Sequence, residues 1–153
     1  MKDKQLLITD LDNTLFDWFN IWYYSFSAML NKTSEITKIP KQQLIEEIRP
    51  IHQKHGTAEY AFVLQEIPSL LKLYGDPEII KEELDEAIHA HRSARKDHLT
   101  LYQGVHESLT ELKQRGTRVV AYTESKEWYS KFRLKKLGLD SLIDVLYSPT
   151  DHH

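Results

Sequence analysis

Leu6-Leu7-Ile8-Thr9-Asp10-Leu11-Asp12-Asn13-Thr14-Leu15 is the stretch from which the rest of the chain is read. An apolar run that ends in turn-forming residues suits a strand buried on both faces. The run delivers Asp10 and Asp12, two residues apart, and in extended backbone such positions share a side. At the C-terminal end of a parallel strand they stand where open α/β sheets bind ligands. Neighbouring carboxylates repel, so one keeps a proton unless a cation neutralises the pair. Ionised, a carboxylate is a hard oxygen ligand suited to Mg²⁺, or a nucleophile toward phosphorus. Protonated, it can supply a leaving group with its proton. The same residue types also make a turn with a helix N-cap, and on generic chemistry the two readings weigh evenly.

Working outward, the first strand is expected over residues 5–9, and two further β-rich runs follow much later. One is Thr117-Arg118-Val119-Val120-Ala121-Tyr122, preceded by Gly116; the other is residues 143–147, ended by Ser148-Pro149. Helical spacing dominates elsewhere. Phe16, Phe19, Tyr23, Phe26 and Leu30 recur at intervals of three or four, as one helix face should. Pro40 opens a helix that Pro50 is expected to end or kink. Residues 60–73 read as helical with an interruption at Pro68, and Asp76-Pro77 caps a charged helix running to about Lys96. Helices over 105–114 and 128–137 are stopped by Gly116 and Gly138. Strand–helix alternation after residue 98 implies parallel strands and right-handed crossovers. The expected architecture is α/β, a Rossmann-like parallel sheet core of three strands with an inserted all-helical domain. The core takes residues 1–16 and 99–153, and the helical cap takes 17–98.

Composition sets the outer bounds. The chain has 153 residues, no Cys and a net charge of −3. A chain this long buries a sizeable core without disulfide or metal staples. Without Cys there is no thiol nucleophile and no zinc–thiolate site. The helical insert carries 10 basic and 13 acidic residues and the remainder 10 and 10, so neither half offers the basic excess of a nucleic-acid binder. No run approaches the length of a membrane span or a signal-peptide core. The expectation is a soluble, cytoplasmic protein with no nucleic-acid or membrane partner.

Asp10-Leu11-Asp12-Asn13-Thr14 after an apolar strand resembles the first signature, DxDxT, of the haloacid dehalogenase-like hydrolases. Val119-Val120-Ala121-Tyr122-Thr123, an apolar strand ending in Thr, resembles the second, and the long insert resembles that family's helical cap. The resemblance implies a nucleophile and Mg²⁺ ligand at Asp10, and a general acid/base at Asp12 whose backbone carbonyl also ligates the metal. It implies loop support around Asp12 from Thr14, and a hydrogen bond from Thr123 to the transferring phosphoryl group. Backbone N–H groups near Asn13 and Glu124 would add to phosphate binding. Asp at the position of Asp12 points to a phosphatase or phosphomutase within that family. The implied activity is hydrolysis of a small phosphorylated metabolite, of phosphoglycolate, sugar phosphate or nucleotide type. A phosphomutase and a non-catalytic binding or regulatory domain stand as alternatives.

The chain departs from the family pattern in two ways. Many relatives have Asn where this chain has Glu124, which is expected here to open a helix and complement its dipole. The third signature, a Lys beyond the third strand, and the fourth, an acidic pair completing the Mg²⁺ site, find no match. Asp151 follows the third strand rather than a fourth, a poor position for a ligand. The expectation is therefore a core truncated at its C-terminus, inactive alone. A missing segment or a second chain would cover the first strand, which is otherwise an exposed edge. In the cap, Trp18, His52, His55 and Tyr60 are candidate contacts to the non-phosphate part of a substrate, and residues 14–18 and 97–103 are candidate hinges. The aromatic stretch Trp18, Trp22, Tyr23, Tyr24 and Phe26 is expected mostly as core between cap helices.

Overall fold

The computed structural model describes residues 5–150. These divide into two compact units, one made of residues up to 20 and from 99 onward, the other of residues 21–98. The first unit is α/β. Strands β1 (Leu6–Thr9), β2 (Arg118–Tyr122) and β3 (Val145–Tyr147) form a parallel sheet in the order β1-β2-β3. Helix α7 (Val105–Gln114) precedes β2, and α8 (Glu127–Lys136) joins β2 to β3. The register sets Leu7 beside Val119 and Thr9 beside Ala121. One face of the sheet is packed, with Val119 and Ala121 fully buried. The other is open and apolar, exposing Leu6 (51%), Ile8 (65%), Tyr122 (58%) and Tyr147 (60%). This is the α/β parallel core expected from the alternation of elements.

Strand β3 begins later than the β-rich run suggests, and Asp144 is the reason. Its backbone N–H donates to the Val119 carbonyl (2.8 Å), its Oδ2 accepts from the Val119 N–H (2.7 Å), and Lys113 pairs with its Oδ1. The residue pins β3 to β2 by its side chain, so ladder pairing starts only at Val145. Hydrogen bonding by Lys113 lowers the Asp144 carboxyl pKa.

The second unit is all-helical: the rest of α1 (Trp18–Thr37), then α2 (Lys41–His55), α3 (Val63–Glu66), α4 (Pro68–Tyr74), α5 (Pro77–Glu83) and α6 (Asp85–Asp97). Met29, Leu30, Leu44, Ile48, Ile67 and Ile80 belong to its core. Three expectations are corrected here. Helix α2 does not end at Pro50 but continues to His55, with Ile48 and Ile51 buried and Pro50 facing out. It ends at Gly56, whose φ of 64° is the left-handed geometry glycine adopts freely. The single charged helix expected from Asp76 is two, α5 and α6, broken at Leu84, which is fully buried. Helix α1 buries Ile21, Ser25, Met29, Leu30 and Thr33, leaving Phe19, Tyr23 and Tyr24 exposed. Two stripes with helical spacing competed on α1, and packing inside the helical unit chose the less aromatic one. Tyr24 instead stacks on His98 with ring centroids 3.9 Å apart. Among the described residues no helix is long and apolar enough to cross a membrane.

Candidate active site

The site is built where β1 and β2 end side by side. Past Thr9 the chain leaves the sheet with the exposed Asp10, buries Leu11 completely, and turns at Asp12. Asn13 takes a φ of 57°, a conformation that Asn tolerates better than most side-chain-bearing residues. Its Oδ1 accepts from the Phe19 N–H (3.2 Å), and Asp17 Oδ1 accepts from the Asn20 N–H (2.8 Å). These bonds satisfy amides in the first turn of α1. The turn is thus both a helix cap and the support of two carboxylates; the two readings of the sequence coexist.

The carboxylates have different surroundings. Asp10 Oδ2 accepts from the Thr14 hydroxyl (3.0 Å). Thr14 therefore braces Asp10, whereas the resemblance had it support the loop around Asp12. Asp12 is held from the far side of the sequence. Its Oδ2 accepts from Thr123 Oγ1 (3.0 Å) and Ser125 Oγ (2.8 Å), and its Oδ1 accepts from Arg133 Nη1 (2.6 Å). The Arg133 side chain is 3% exposed, and Asp12 is 20% exposed. The Arg133 guanidinium lies 5.9 Å from the Phe16 ring centroid and 5.7 Å from that of Tyr129, within reach of cation–π attraction. Thr123 is itself fixed by its backbone N–H to Tyr147 O (2.9 Å).

Thr123 also accepts the Ser125 N–H on its Oγ1 (3.0 Å). This local turn keeps Glu124 outside the helix, which starts at Glu127 with Lys126 at the cap, one residue ahead of the expected 128. Glu124 consequently does not open α8, contrary to expectation; it is an exposed loop residue, and Glu127 supplies the first-turn acid. Ser125 and Arg133 were missed by sequence reasoning. The available signal was the spacing of Ser130, Arg133 and Leu134, which puts a cation on the buried face of α8. Asp151 lies outside the described residues.

Trp18 begins α1 with its N–H bonded to Phe16 O (3.0 Å). In the helical unit, His55 and Tyr60 come together, and a residue the sequence analysis overlooked, Glu66, is why. Glu66 Oε1 takes the Tyr60 hydroxyl (2.6 Å) and His55 Nε2 (2.9 Å), while Oε2 takes Lys54 (2.9 Å). The His55 and Tyr60 rings stack at 3.6 Å. The Tyr60 bond, then those of Lys54 and His55, lower the Glu66 pKa to about 2, and the Tyr60 hydroxyl pKa is raised in return. The His52 ring is 5.8 Å from that of Phe26, and its pKa is lowered by burial and then by His55.

A cavity of about 430 Å³ lined by Lys113, Gly116, Thr117, Arg118 and Asp144 lies at the other end of β2 from Thr123, away from the carboxylates. Among the described residues no group of three or more His, Asp or Glu is arranged to enclose a metal. Asp10 is a single hard carboxylate donor, and both oxygens of Asp12 are engaged by protein donors. The residues present therefore fit part of a Mg²⁺ shell, because Mg²⁺ is commonly held by one or two carboxylates with water and phosphate completing it.

The sequence profile of the haloacid dehalogenase-like hydrolases matches residues 7–153. The chain belongs to that family. Among solved structures it resembles a beta-phosphoglucomutase candidate from Thermotoga maritima, with a TM-score of 0.62 and 20% identity over 94% of this chain and 61% of that one. It also resembles the candidate HAD-hydrolase YfnB of Bacillus subtilis bound to magnesium, with a TM-score of 0.54 and 18% identity over 96% and 64%. A phosphoglycolate phosphatase candidate from Haemophilus somnus gives a TM-score of 0.50 and 18% identity over 97% and 64%. At these identities the likeness is one of fold, and the chain spans less than two thirds of the length of each. No match was found among curated proteins.

Proposed function

We propose that this chain carries the phosphoryl-transfer centre of a Mg²⁺-dependent phosphatase acting in the cytoplasm on small phosphorylated metabolites. The observation that carries the reading is the meeting of Asp12 with Thr123 at the ends of two parallel strands, 111 residues apart in sequence. It brings the two signature segments together past the C-terminal ends of the strands, where open α/β sheets bind ligands.

In the proposed reaction an Asp10 carboxylate oxygen attacks phosphorus, and the bond from phosphorus to the substrate oxygen breaks. Asp12 gives its proton to that leaving oxygen. Asp12 then takes a proton from water as the water oxygen attacks the aspartyl-phosphate, breaking the bond to Asp10 and releasing phosphate. Thr123 and the backbone around Asn13 and Glu124 would donate hydrogen bonds to the phosphoryl oxygens. Asp10, with the backbone carbonyl of Asp12, would hold Mg²⁺, whose chemistry is neutralisation of phosphoryl charge. The same reading gives residues 17–98 the part of a substrate-selecting cap, with Trp18, His52, His55 and Tyr60 as candidate contacts. The open sheet face of Leu6, Ile8, Tyr122 and Tyr147 supports a further segment or second chain covering the sheet at β1.

The test is phosphate release from p-nitrophenyl phosphate by the full-length protein, with and without Mg²⁺. Asp10→Asn and Asp12→Asn should each lose at least about 10²-fold, the usual scale for removing a nucleophile or an acid/base group. Activity surviving both substitutions would refute the mechanism. Intramolecular transfer on a sugar phosphate, without release to water, would favour the phosphomutase reading instead.

A further inference from the structure

We propose that Arg133 is a positioning residue for Asp12: it anchors Oδ1 and leaves Oδ2 as the oxygen that exchanges a proton with substrate. The kinetic consequence rests on the phosphatase reading above, while the anchoring itself does not.

The argument begins from cost. An arginine is always charged, and burying one costs several kcal/mol unless it is paired. Arg133 is 3% exposed, on the helix face that also buries Ser130 and Leu134. An apolar residue there would pack without that cost, and a buried ion pair is weak evidence for stability as such. What the charge does is visible in its bonds. Arg133 Nη1 reaches Asp12 Oδ1 at 2.6 Å and Ser125 Oγ at 3.2 Å, and Ser125 Oγ turns its own proton to Asp12 Oδ2 at 2.8 Å. With Thr123 Oγ1 on Oδ2, three side chains fix the plane of one carboxylate. All come from the segment that leaves β2 and enters α8.

The two oxygens are not held alike. Oδ1 has a charged donor in a short bond, and such bonds are about twice as strong as neutral ones. Oδ2 has two hydroxyls, whose protons rotate and whose oxygens can accept as well as donate. Releasing Oδ2 to a substrate oxygen therefore costs less than releasing Oδ1. Arg133 touches neither the substrate nor the reacting atoms in this scheme; it acts through Asp12, and a small tilt of a proton donor is enough to slow transfer.

The experiment compares Arg133→Gln and Arg133→Lys with the unsubstituted full-length protein on two substrates. Departure of p-nitrophenolate needs little protonation, whereas departure of an alkoxide from phosphoglycolate needs it fully. In kcat/KM, Arg133→Gln should lose about 10²-fold on the alkyl ester and less than about threefold on the aryl ester, the scale of general acid catalysis. Arg133→Lys, which restores a cation, should recover most of the alkyl loss. Equal losses on both esters, or no loss, would overturn the proposal. If the full-length protein releases no phosphate with Mg²⁺, the phosphatase reading fails, and crystal structures of the two variants decide the anchoring alone. Asp12 rotated in Arg133→Gln and restored in Arg133→Lys supports it; Asp12 unmoved on Thr123 and Ser125 in both overturns it. Circular dichroism distinguishes misfolding, and if Arg133→Gln does not fold, the Arg133→Lys arm decides.

Discussion

Breaking the Asp12–Arg133 pair from either side should give unequal stability losses, because the two members are buried to different extents. Asp12→Ala leaves a guanidinium that is 3% exposed without its carboxylate. Removing one partner of a buried pair costs about 3–5 kcal/mol, and this case belongs near the upper end. Arg133→Met leaves Asp12 20% exposed and still accepting from Thr123 and Ser125, so its loss belongs near the lower end, about 3 kcal/mol. The Met side chain replaces much of the arginine stem and limits the cavity contribution. The double variant leaves no orphan charge and should fall short of the summed losses by about 2 kcal/mol or more. Urea unfolding at pH 7, followed by amide exchange of Val119 and Ala121, reports on the sheet unit specifically. Losses that simply add, to within about 0.5 kcal/mol, would show that the pair is not coupled and refute the reasoning.

Acid should weaken the helical unit through His91, whose pKa is lowered to about 4, first by burial and then by Arg95 and Arg92. The unfolded chain then binds more protons than the folded one, so stability present above the ordinary value near 6.5 is lost as pH falls toward 4. Between pH 8 and pH 5 the loss works out at about 2 kcal/mol, which urea midpoints should show and His91→Gln should remove; equal declines in both proteins would rule the residue out. The open sheet face should bind the dye ANS, and Ile8→Thr with Tyr147→Thr should cut that signal markedly; unchanged fluorescence would mean the face is not accessible.

Much of the site was legible because strand chemistry is local. Asp10 and Asp12 follow a short apolar run, and Thr123 ends another, so both signatures could be placed at strand ends before any pairing was known. Element boundaries were harder where a side chain overrides the backbone pattern. Asp144 delays β3 by a hydrogen bond that periodicity does not register. On α1 periodicity allowed more than one buried stripe, and only packing distinguished them.

By itself the amino-acid order determined the class of fold, the strand ends that carry the carboxylates and the absence of thiol chemistry. Tertiary structure alone decided who holds each carboxylate. Thr14 braces Asp10 from four residues away, within reach of sequence reasoning, whereas Arg133 reaches Asp12 from 121 residues away. Glu66 likewise gathers Lys54, His55 and Tyr60 from across a loop. The physical reason is the same in each case. Hydrophobic periodicity records which face of an element is buried, but the distant partner of a charged side chain is set by which elements pack together.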